Sequence, residues 1–317
     1  MQPKKILLTG ASGTLGFNVG RLLGLAGRHH VVATVRSMQP FLSALAGIRF
    51  IQVDLFDTAT INTIMKELQP DVVVHCAASG LRPPRSTWFE MMSFNVETTL
   101  RLFEIYSTLP AKHFIYISTG LVYREQGRPL REDDSIESLQ PYGASKAAAD
   151  CLLQAAAVEF GKAVTILRPF AFTGLQDGGD RLFPAMLRAS CSGTPFPMSA
   201  GDQIRDFCAV EDVAGAVLLC IERGPLHLIN KFNLGSGIAG TIKQLAERVC
   251  GELGLQLEIQ FGARSRLPLE PMHLVPDICA AREILGWQAQ TNLAFAVWEL
   301  AQDSFPQLKL RKPERRI

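Results

Sequence analysis

The sequence has little net charge, no paired cysteine motif and no long apolar run. Its 32 lysines and arginines nearly balance 30 aspartates and glutamates, for a net charge of +2, so we expect no nucleic-acid partner. The seven cysteines are an odd number and are widely spaced, without a C-x-x-C pair. This pattern argues against a disulfide framework or a metal site and favours reduced thiols in a cytoplasmic protein.

The sequence also lacks the hydrophobic segments of secreted and membrane proteins. Only a few apolar residues separate Lys5 from Thr9, too few for the core of a signal peptide. No run of about 18 apolar residues is present, so we expect no membrane span. The 317 residues, 47% hydrophobic and 20% charged, can bury a large core and are typical of a globular protein.

What the chain does contain is a regular alternation of strand-like apolar runs and amphipathic helical stretches, from Lys5 to Leu167. Such alternation predicts right-handed βαβ units and a doubly wound, Rossmann-type α/β fold with a parallel sheet. Ligands of such sheets bind at the carboxyl ends of the strands. We therefore expect the residues that follow six of these runs to share one rim: Gly10, Arg36, Asp54, Ala77, Ser118 and Pro169.

The first strand-like run ends in a glycine-rich turn that leads into an amphipathic stretch. Glycines at such a turn let backbone N–H groups approach a pyrophosphate at the helix N-terminus, where the helix dipole favours negative charge. The spacing is G-x-x-G-x-x-G rather than the usual G-x-G-x-x-G, and a simple tight turn is the alternative. We predict a dinucleotide site formed by Gly10, Ser12, Gly13, Thr14, Leu15 and Gly16.

Arg36 ends the second strand-like run and bears on the choice of cofactor. An acidic residue at this point contacts the ribose 2′-OH of NAD, whereas an arginine accommodates the 2′-phosphate of NADP. The sequence Val35-Arg36-Ser37 contains no carboxylate, and Arg36 could pair with that phosphate and stack on adenine. This pattern favours NADP(H), with NAD(H) as the alternative and a solvated loop arginine as the simplest interpretation.

Tyr142 and Lys146 stand four residues apart at the start of an alanine-rich stretch, directly after Pro141. Proline is favoured in the first turn of a helix, and residues four apart lie on one helix face. A phenol with a pKa of about 10 becomes a better proton-transfer group when a neighbouring ammonium lowers that value. The pair indicates proton exchange with an alcohol or carbonyl oxygen during hydride transfer, and a surface tyrosine beside a solvated lysine is the alternative.

Several short motifs occur together and in order: Thr9-Gly10-x-x-Gly13-x-x-Gly16, Asp54-Leu55, His75-Cys76-Ala77-Ala78, Asn95-Val96, Ser118-Thr119-x-x-Val122-Tyr123, Tyr142-x-x-x-Lys146 and Arg168-Pro169. With this set the chain resembles the extended short-chain dehydrogenases/reductases, the NAD(P)-dependent epimerase/dehydratase group that acts on nucleotide sugars. The resemblance runs from residue 4 to about residue 300. Each motif alone is weak, whereas the ordered set is specific.

The resemblance implies roles for individual residues. Tyr142 would be the proton donor or acceptor, Lys146 would bind the nicotinamide ribose and lower the pKa of Tyr142, and Thr119 would hydrogen-bond the reacting oxygen. Asn95 would be structural or hold a water molecule. The further cofactor contacts that it implies are Asp54, Leu55, Ala77, Ala78 and Pro169.

In the second half of the chain the alternation loosens, and we expect a smaller α/β substrate-binding lobe. We assign residues 1–170 and 206–232 to the dinucleotide-binding domain, and residues 171–205 and 233–317 to this lobe. The resemblance implies that Arg205 and Arg266 contact a nucleotide diphosphate, with ordinary surface ion pairing as the alternative. It also implies a homodimer formed through the stretches 86–106 and 140–160.

Departures from the family pattern bear on the reaction. Sugar 4,6-dehydratases carry Thr-Asp-Glu at the catalytic threonine, where this chain has Thr119-Gly120-Leu121, so a dehydratase is not expected. Arg36 favours exchangeable NADPH, and we predict an NADPH-dependent reductase of a nucleotide-linked 4-keto-6-deoxy sugar. The alternatives are an NAD-dependent nucleotide-sugar 4-epimerase, a reductase of a small ketone or aldehyde, and a non-catalytic dinucleotide sensor on the same fold.

Overall fold

The computed structural model describes residues 2–80, 86–266 and 268–317. In chain order its strands are β1 (Lys5–Thr9), β2 (His30–Val35), β3 (Ile48–Gln52), β4 (Val72–His75), β5 (His113–Ile117), β6 (Val164–Pro169), β7 (Ala171–Thr173), β8 (Phe196–Met198), β9 (Ile204–Ala209), β10 (Ile229–Leu234), β11 (Ala239–Thr241), β12 (Ile259–Phe261) and β13 (His273–Leu274). Its α-helices are α1 (Thr14–Ala26), α2 (Thr58–Leu68), α3 (Trp88–Met92), α4 (Thr98–Ser107), α5 (Pro141–Phe160), α6 (Leu182–Ser192), α7 (Val210–Arg223), α8 (Ile242–Leu253) and α9 (Leu293–Ser304).

The main sheet has seven parallel strands in the order β3-β2-β1-β4-β5-β6-β10. The strand order reverses direction between β1 and β4, and such a switch point opens a crevice for ligands at the carboxyl ends of the two strands. Thr9, the last residue of β1, pairs with Thr34 of β2 and His75 of β4. The predicted Rossmann-type α/β fold is confirmed.

Helices cover both faces of the sheet, which explains why its central strands are mostly apolar and are buried along almost their whole length. One face packs against α1 and α7, with Val19 and Val217 among the buried residues. The other face packs against α2, α4 and α5, with Phe103 and Leu153 in the core. None of the helices in the described part of the chain is long and apolar enough to cross a membrane.

The sequence specifies both ends of helix α5. The helix begins with Pro141 in its first turn, and its last residue, Phe160, is followed by Gly161 with a left-handed φ of 61°. This agrees with the preference for proline at the start of a helix and for glycine after its end. Helices α3 and α4 are joined by a π-helical turn, Ser93–Glu97. This turn carries Asn95, and π turns of this kind often occur at functional sites.

A smaller lobe packs at the carboxyl end of the main sheet. Strands β7, β9, β11 and β13 form one small sheet, β8 pairs with β12, and α6, α8 and α9 share a second core. The sequence-based boundary between residues 205 and 206 falls inside β9, which pairs with β7 rather than with the main sheet. The chain returns to the main sheet through α7 and β10, because α7 packs on α1 and β10 pairs with β6.

Candidate active site

The glycine turn lies at the switch point between β1 and β4. Gly10 has a left-handed φ of 74°, and a Cβ at this position would lie 2.5 Å from the backbone nitrogen of Ala77. A Cβ on Gly16 would overlap the carbonyl oxygen of Gly10. Gly13 precedes the first turn of α1 and has no side chain to cap its N–H groups. The backbone N–H groups at the N-terminus of α1 therefore have no side-chain cap at Gly13, and such groups can bind a pyrophosphate.

Arg36 and Asp54 follow the ends of the neighbouring strands β2 and β3, and the backbone nitrogen of Val53 donates to Val35 O at 2.9 Å. Both side chains are exposed. Asp54 Oδ1 accepts a hydrogen bond from Phe56 N at 3.0 Å, so its carboxylate closes the local turn. The structure thus places both residues at the rim where an adenosine would lie, together with half-buried Leu55.

Tyr142 lies in the first turn of α5, close to Gly80, where a Cβ would lie 3.7 Å from Tyr142 Cδ2. The start of α5 packs directly against the segment after Thr119, since a Cβ on Gly143 would overlap Leu121 O. Thr119 itself is buried, and its Oγ1 accepts a hydrogen bond from Leu121 N at 3.2 Å. Gly143 therefore lets the segments that carry Tyr142 and Thr119 come together.

Asn95 connects the strand end after β4 to the helix that carries Tyr142. Its Oδ1 accepts from Ser79 N at 2.8 Å, and its Nδ2 donates to Ser79 O at 2.8 Å and to Ser145 Oγ at 2.9 Å. Ser145 Oγ in turn donates to Tyr142 O at 2.8 Å. These contacts are those of a positioning residue, in line with the structural role that the resemblance implies.

Lys146 is buried one turn after Tyr142, and its Nζ lies 4.0 Å from the centroid of the Tyr116 ring. Burial lowers the pKa of Lys146 to about 7, and the negative charge of Asp150 opposes this decrease. Burial raises the pKa of Tyr142 to about 12, and the positive charge of Arg181 partly opposes this increase. In this state Arg181, rather than Lys146, is the cation that acts on the phenol, which differs from the sequence-based expectation because the Lys146 ammonium lies against Tyr116.

Arg205 and Arg266 lie near each other, on β9 and on the segment before β13, and both already have partners. Arg205 is 9% exposed, and its Nη2 donates to Pro271 O at 2.6 Å and lies 3.4 Å from Glu270 Oε1. Arg266 is exposed and forms an ion pair with Asp202 at 3.1 Å. A diphosphate at this position would have to replace these intramolecular contacts.

Two charged residues of the site were missed by sequence reasoning. Arg181 precedes α6, and its Nη1 donates to Asp177 Oδ1 at 2.8 Å while its guanidinium lies 4.8 Å from the centroid of the Phe172 ring. Asp150 lies one turn after Lys146 and is fully buried. Asp150 could have been found from the sequence, because a carboxylate four residues after Lys146 shares its helix face. Arg181 lies in a Gly/Asp-rich loop and gave no such signal.

Comparison with known proteins identifies the family. A family model described as the NAD dependent epimerase/dehydratase family matches residues 6–235. This chain belongs to the NAD-dependent epimerase/dehydratase family. The matched segment contains the glycine turn, Tyr142 and Lys146, and it ends just after β10. The predicted membership is thereby confirmed.

Relatives and solved structures of the family cover nearly the whole chain. The chain is 29% identical to a UDP-glucose 4-epimerase of Streptomyces lividans, over 93% of this chain and 95% of that protein. It is 27% identical to the UDP-glucose 4-epimerase of Corynebacterium glutamicum, over 89% of this chain and 90% of that protein. The solved structure of MoeE5 in complex with UDP-glucuronic acid and NAD superposes with a TM-score of 0.85 at 28% identity, covering 96% of this chain and all of that one.

The residues present fit the dinucleotide that the family implies. The contact between Gly10 and Ala77 leaves no room for a side chain where the pyrophosphate would approach the backbone. The small residues Ala77 and Ala78 follow the end of β4, with Ala77 buried and Ala78 exposed. Among the described residues, no group of three or more His, Cys, Asp and Glu side chains could hold a metal ion.

The glycine turn yields a prediction about cofactor binding. In Gly16→Ala the new methyl group would overlap Gly10 O, so the turn must open and lose the geometry of its backbone donors. We expect NADH affinity to fall by at least about tenfold, because the turn supplies charge-assisted hydrogen bonds to the pyrophosphate. Fluorescence titration with NADH measures this loss.

The matched control is Gly215→Ala in α7, where a Cβ would have no neighbour within 4 Å. This change should leave NADH affinity unaltered and raise the free energy of unfolding by roughly 0.5–1 kcal/mol, as alanine is favoured over glycine inside a helix. Equal NADH affinity in Gly16→Ala and the wild type would contradict the assigned role of the turn.

Proposed function

We propose that the protein is an NAD-dependent epimerase that inverts C4 of a UDP-sugar. The observation that carries this proposal is the match to UDP-glucose 4-epimerases over nearly the whole chain. Tyr142, Lys146 and Thr119 support it, because they lie on two segments that pack together, the start of α5 and the segment after β5. This proposal corresponds to the alternative that the sequence left open. The comparisons support it better than they support the NADPH-dependent reductase.

Each residue of the site would have a separate role in cofactor binding or proton transfer. The glycine turn, Asp54 and Leu55 would hold the dinucleotide, and the bound nicotinamide would supply the hydride acceptor and donor. Tyr142 would remove the proton of the C4 hydroxyl as the hydride leaves C4, and would return a proton when the opposite face is reduced. Thr119 would donate a hydrogen bond from its hydroxyl to the oxygen on C4, while its Oγ1 still accepts from Leu121 N.

The smaller lobe would bind the nucleotide diphosphate. Arg205 and Arg266 are the candidates, because two guanidinium groups on adjacent segments can bind phosphate oxygens with charge-assisted hydrogen bonds. Their present partners Glu270 and Asp202 are carboxylates, which act as internal substitutes for the anion. Together with the main sheet, this lobe would enclose the sugar over Tyr142.

The decisive experiment is incubation of the purified protein with UDP-glucose and UDP-glucuronic acid, followed by NMR analysis of the configuration at C4. We expect formation of the C4 epimer with no net change in absorbance at 340 nm, because the cofactor is regenerated in each cycle. Net consumption of NADPH with a keto sugar, and no epimer from either UDP-sugar, would contradict the proposal.

Tyr142→Phe tests the proton-transfer step. The change removes the phenolic oxygen and keeps the ring, so we expect turnover to fall by about 10²–10⁴-fold with little change in NADH affinity. Tyr106→Phe is the matched control, since Tyr106 OH donates to Ala163 O at 3.1 Å inside the core. It should lose about 1 kcal/mol of stability and retain turnover. Full activity of Tyr142→Phe would exclude Tyr142 as the acid–base residue.

Arg36 is the specific observation that favours the second candidate, an NADP(H)-dependent reductase. Arg36 is exposed at the end of β2, in the position that could pair with a 2′-phosphate.

Under the epimerase proposal NADH binds at least as tightly as NADPH, and Arg36→Ala changes NADH affinity by less than about twofold, as expected for an exposed group. Arg49→Ala, which removes another exposed arginine from β3, is the matched control in fluorescence titrations. NADPH binding that is tenfold tighter and is lost in Arg36→Ala would favour the reductase.

We also propose a homodimer that buries the apolar outer residues of α3 and α5. Phe89 is 87% exposed and Trp88 61%, and Val158 and Phe160 are exposed on α5. Exposed apolar side chains on these two helices are candidates for an association surface. Light scattering should give the mass of a dimer for the wild type and of a monomer for Phe89→Glu with Val158→Glu, because buried unpaired carboxylates are costly. A wild-type monomer at micromolar concentration would contradict this.

A further inference from the structure

Three charged side chains lie in the core beneath the candidate site. Lys146 is 1% exposed, and Asp150 and Arg168 are 0% exposed. Charges at this depth are costly unless they are paired and hydrogen-bonded. Lys146 already has a place in the proposed reaction, whereas Asp150 and Arg168 do not. Asp150 lies one turn after Lys146 on the same face of α5, and Arg168 is bonded to Asp150, which raises the question of what the pair does for Lys146.

Arg168 holds Asp150 in one orientation. Arg168 Nε donates to Asp150 Oδ2 at 2.9 Å, and Arg168 Nη1 donates to Tyr123 OH at 2.5 Å. Tyr123 OH then donates to Asn233 Oδ1 at 2.9 Å. The carboxylate on α5 is thereby tied to β6 and β10, so neither partner is free to turn away.

The charges of Asp150 and Lys146 act on each other across one helical turn. Burial lowers the pKa of Lys146 to about 7, and the negative charge of Asp150 opposes this decrease more strongly than any other group does. Burial raises the pKa of Asp150, whereas the positive charge of Arg168, and to a smaller extent that of Lys146, favours the carboxylate form. Asp150 therefore favours the charged form of Lys146, and Arg168 favours the carboxylate form of Asp150.

No other titratable group that faces Lys146 from the described part of the chain can take this role near neutral pH. On β4 and just after it, His75 has its pKa lowered to about 3 and Cys76 has its pKa raised to about 12, so both are uncharged. On β5 burial raises the pKa of Tyr116 well above its usual value, and on α5 that of Tyr142 is raised to about 12. The remaining group, Arg168 on β6, is a cation.

We propose that Asp150, oriented by Arg168, is the counter-ion that keeps Lys146 charged at the cofactor site. Asp150 is then a positioning residue: it touches neither cofactor nor substrate, and it acts through Lys146. Its effect on turnover rests on the proposed function. Its effect on the binding of NADH rests only on the expected contact between Lys146 and the dinucleotide, which does not depend on the identity of the sugar.

The test is the NADH affinity of Asp150→Asn between pH 5 and pH 8, measured without sugar substrate. Loss of the anion should lower the pKa of Lys146 further, so that its charged form persists only at lower pH. NADH affinity should match the wild type near pH 5 and be about tenfold weaker at pH 8. Asp150→Glu, which retains the carboxylate, should keep the wild-type pH dependence.

Two further variants keep the test decisive. Asp150→Asn combined with Arg168→Met removes both buried charges and so avoids an unpaired guanidinium that could prevent folding; it should show the same pH-dependent loss. In a Lys146→Met background, Asp150→Asn should have no pH-dependent effect, because the group on which it acts is absent.

If Asp150→Asn weakens NADH binding equally at every pH, or still weakens it in the Lys146→Met background, Asp150 has only a structural role. Either result would overturn the proposal. Turnover distinguishes this proposal from the proposed function. If no UDP-sugar is epimerised while NADH binding shows the predicted pH dependence, only the proposed reaction fails.

Discussion

A buried lysine is the constraint on which much of the site depends. The fold places Lys146 where its ammonium cannot reach water, and that location alone favours the neutral amine. The protein offsets this with the Tyr116 ring on one side and Asp150 on another. Arg168 donates a hydrogen bond to the Asp150 carboxylate and another to the Tyr123 hydroxyl. The contacts that accompany this buried lysine thus extend from α5 through Arg168 on β6 to Asn233 on β10.

The same reasoning explains why the site lies at the rim. Parallel strands with helices on both faces leave their carboxyl ends as the place where backbone groups and polar side chains can meet a ligand. At the switch point the chain leaves β1 and β4 towards helices on opposite faces of the sheet. Gly10 can approach Ala77 only because it lacks a side chain. Asn95 then ties the end of β4 to α5 through Ser79 and Ser145. Tyr142 is therefore positioned by two neighbouring elements as well as by its own helix.

Much of this arrangement could be predicted from the sequence, because it follows from periodicity and turn chemistry. The glycine turn, the alternation of strands and helices and the proline before Tyr142 are local signals, and the corresponding elements occur where they predict. What could not be predicted depends on distant contacts. The pairing of β9 with β7, the ion pair between Arg205 and Glu270 and the effect of Arg181 on Tyr142 join residues far apart in sequence. The preference for the reductase rested on Arg36 alone, and a single exposed side chain is a weak basis against whole-chain similarity to epimerases.

The path of the chain between the two sheets has a mechanical consequence. The smaller lobe is built from two separate stretches, one before α7 and one after β10, and the segment between them completes the main sheet. Neither part can be cut out as a continuous piece without leaving the other with an exposed core. A displacement of one part relative to the other must therefore involve the two segments that connect them, one before α7 and one after β10.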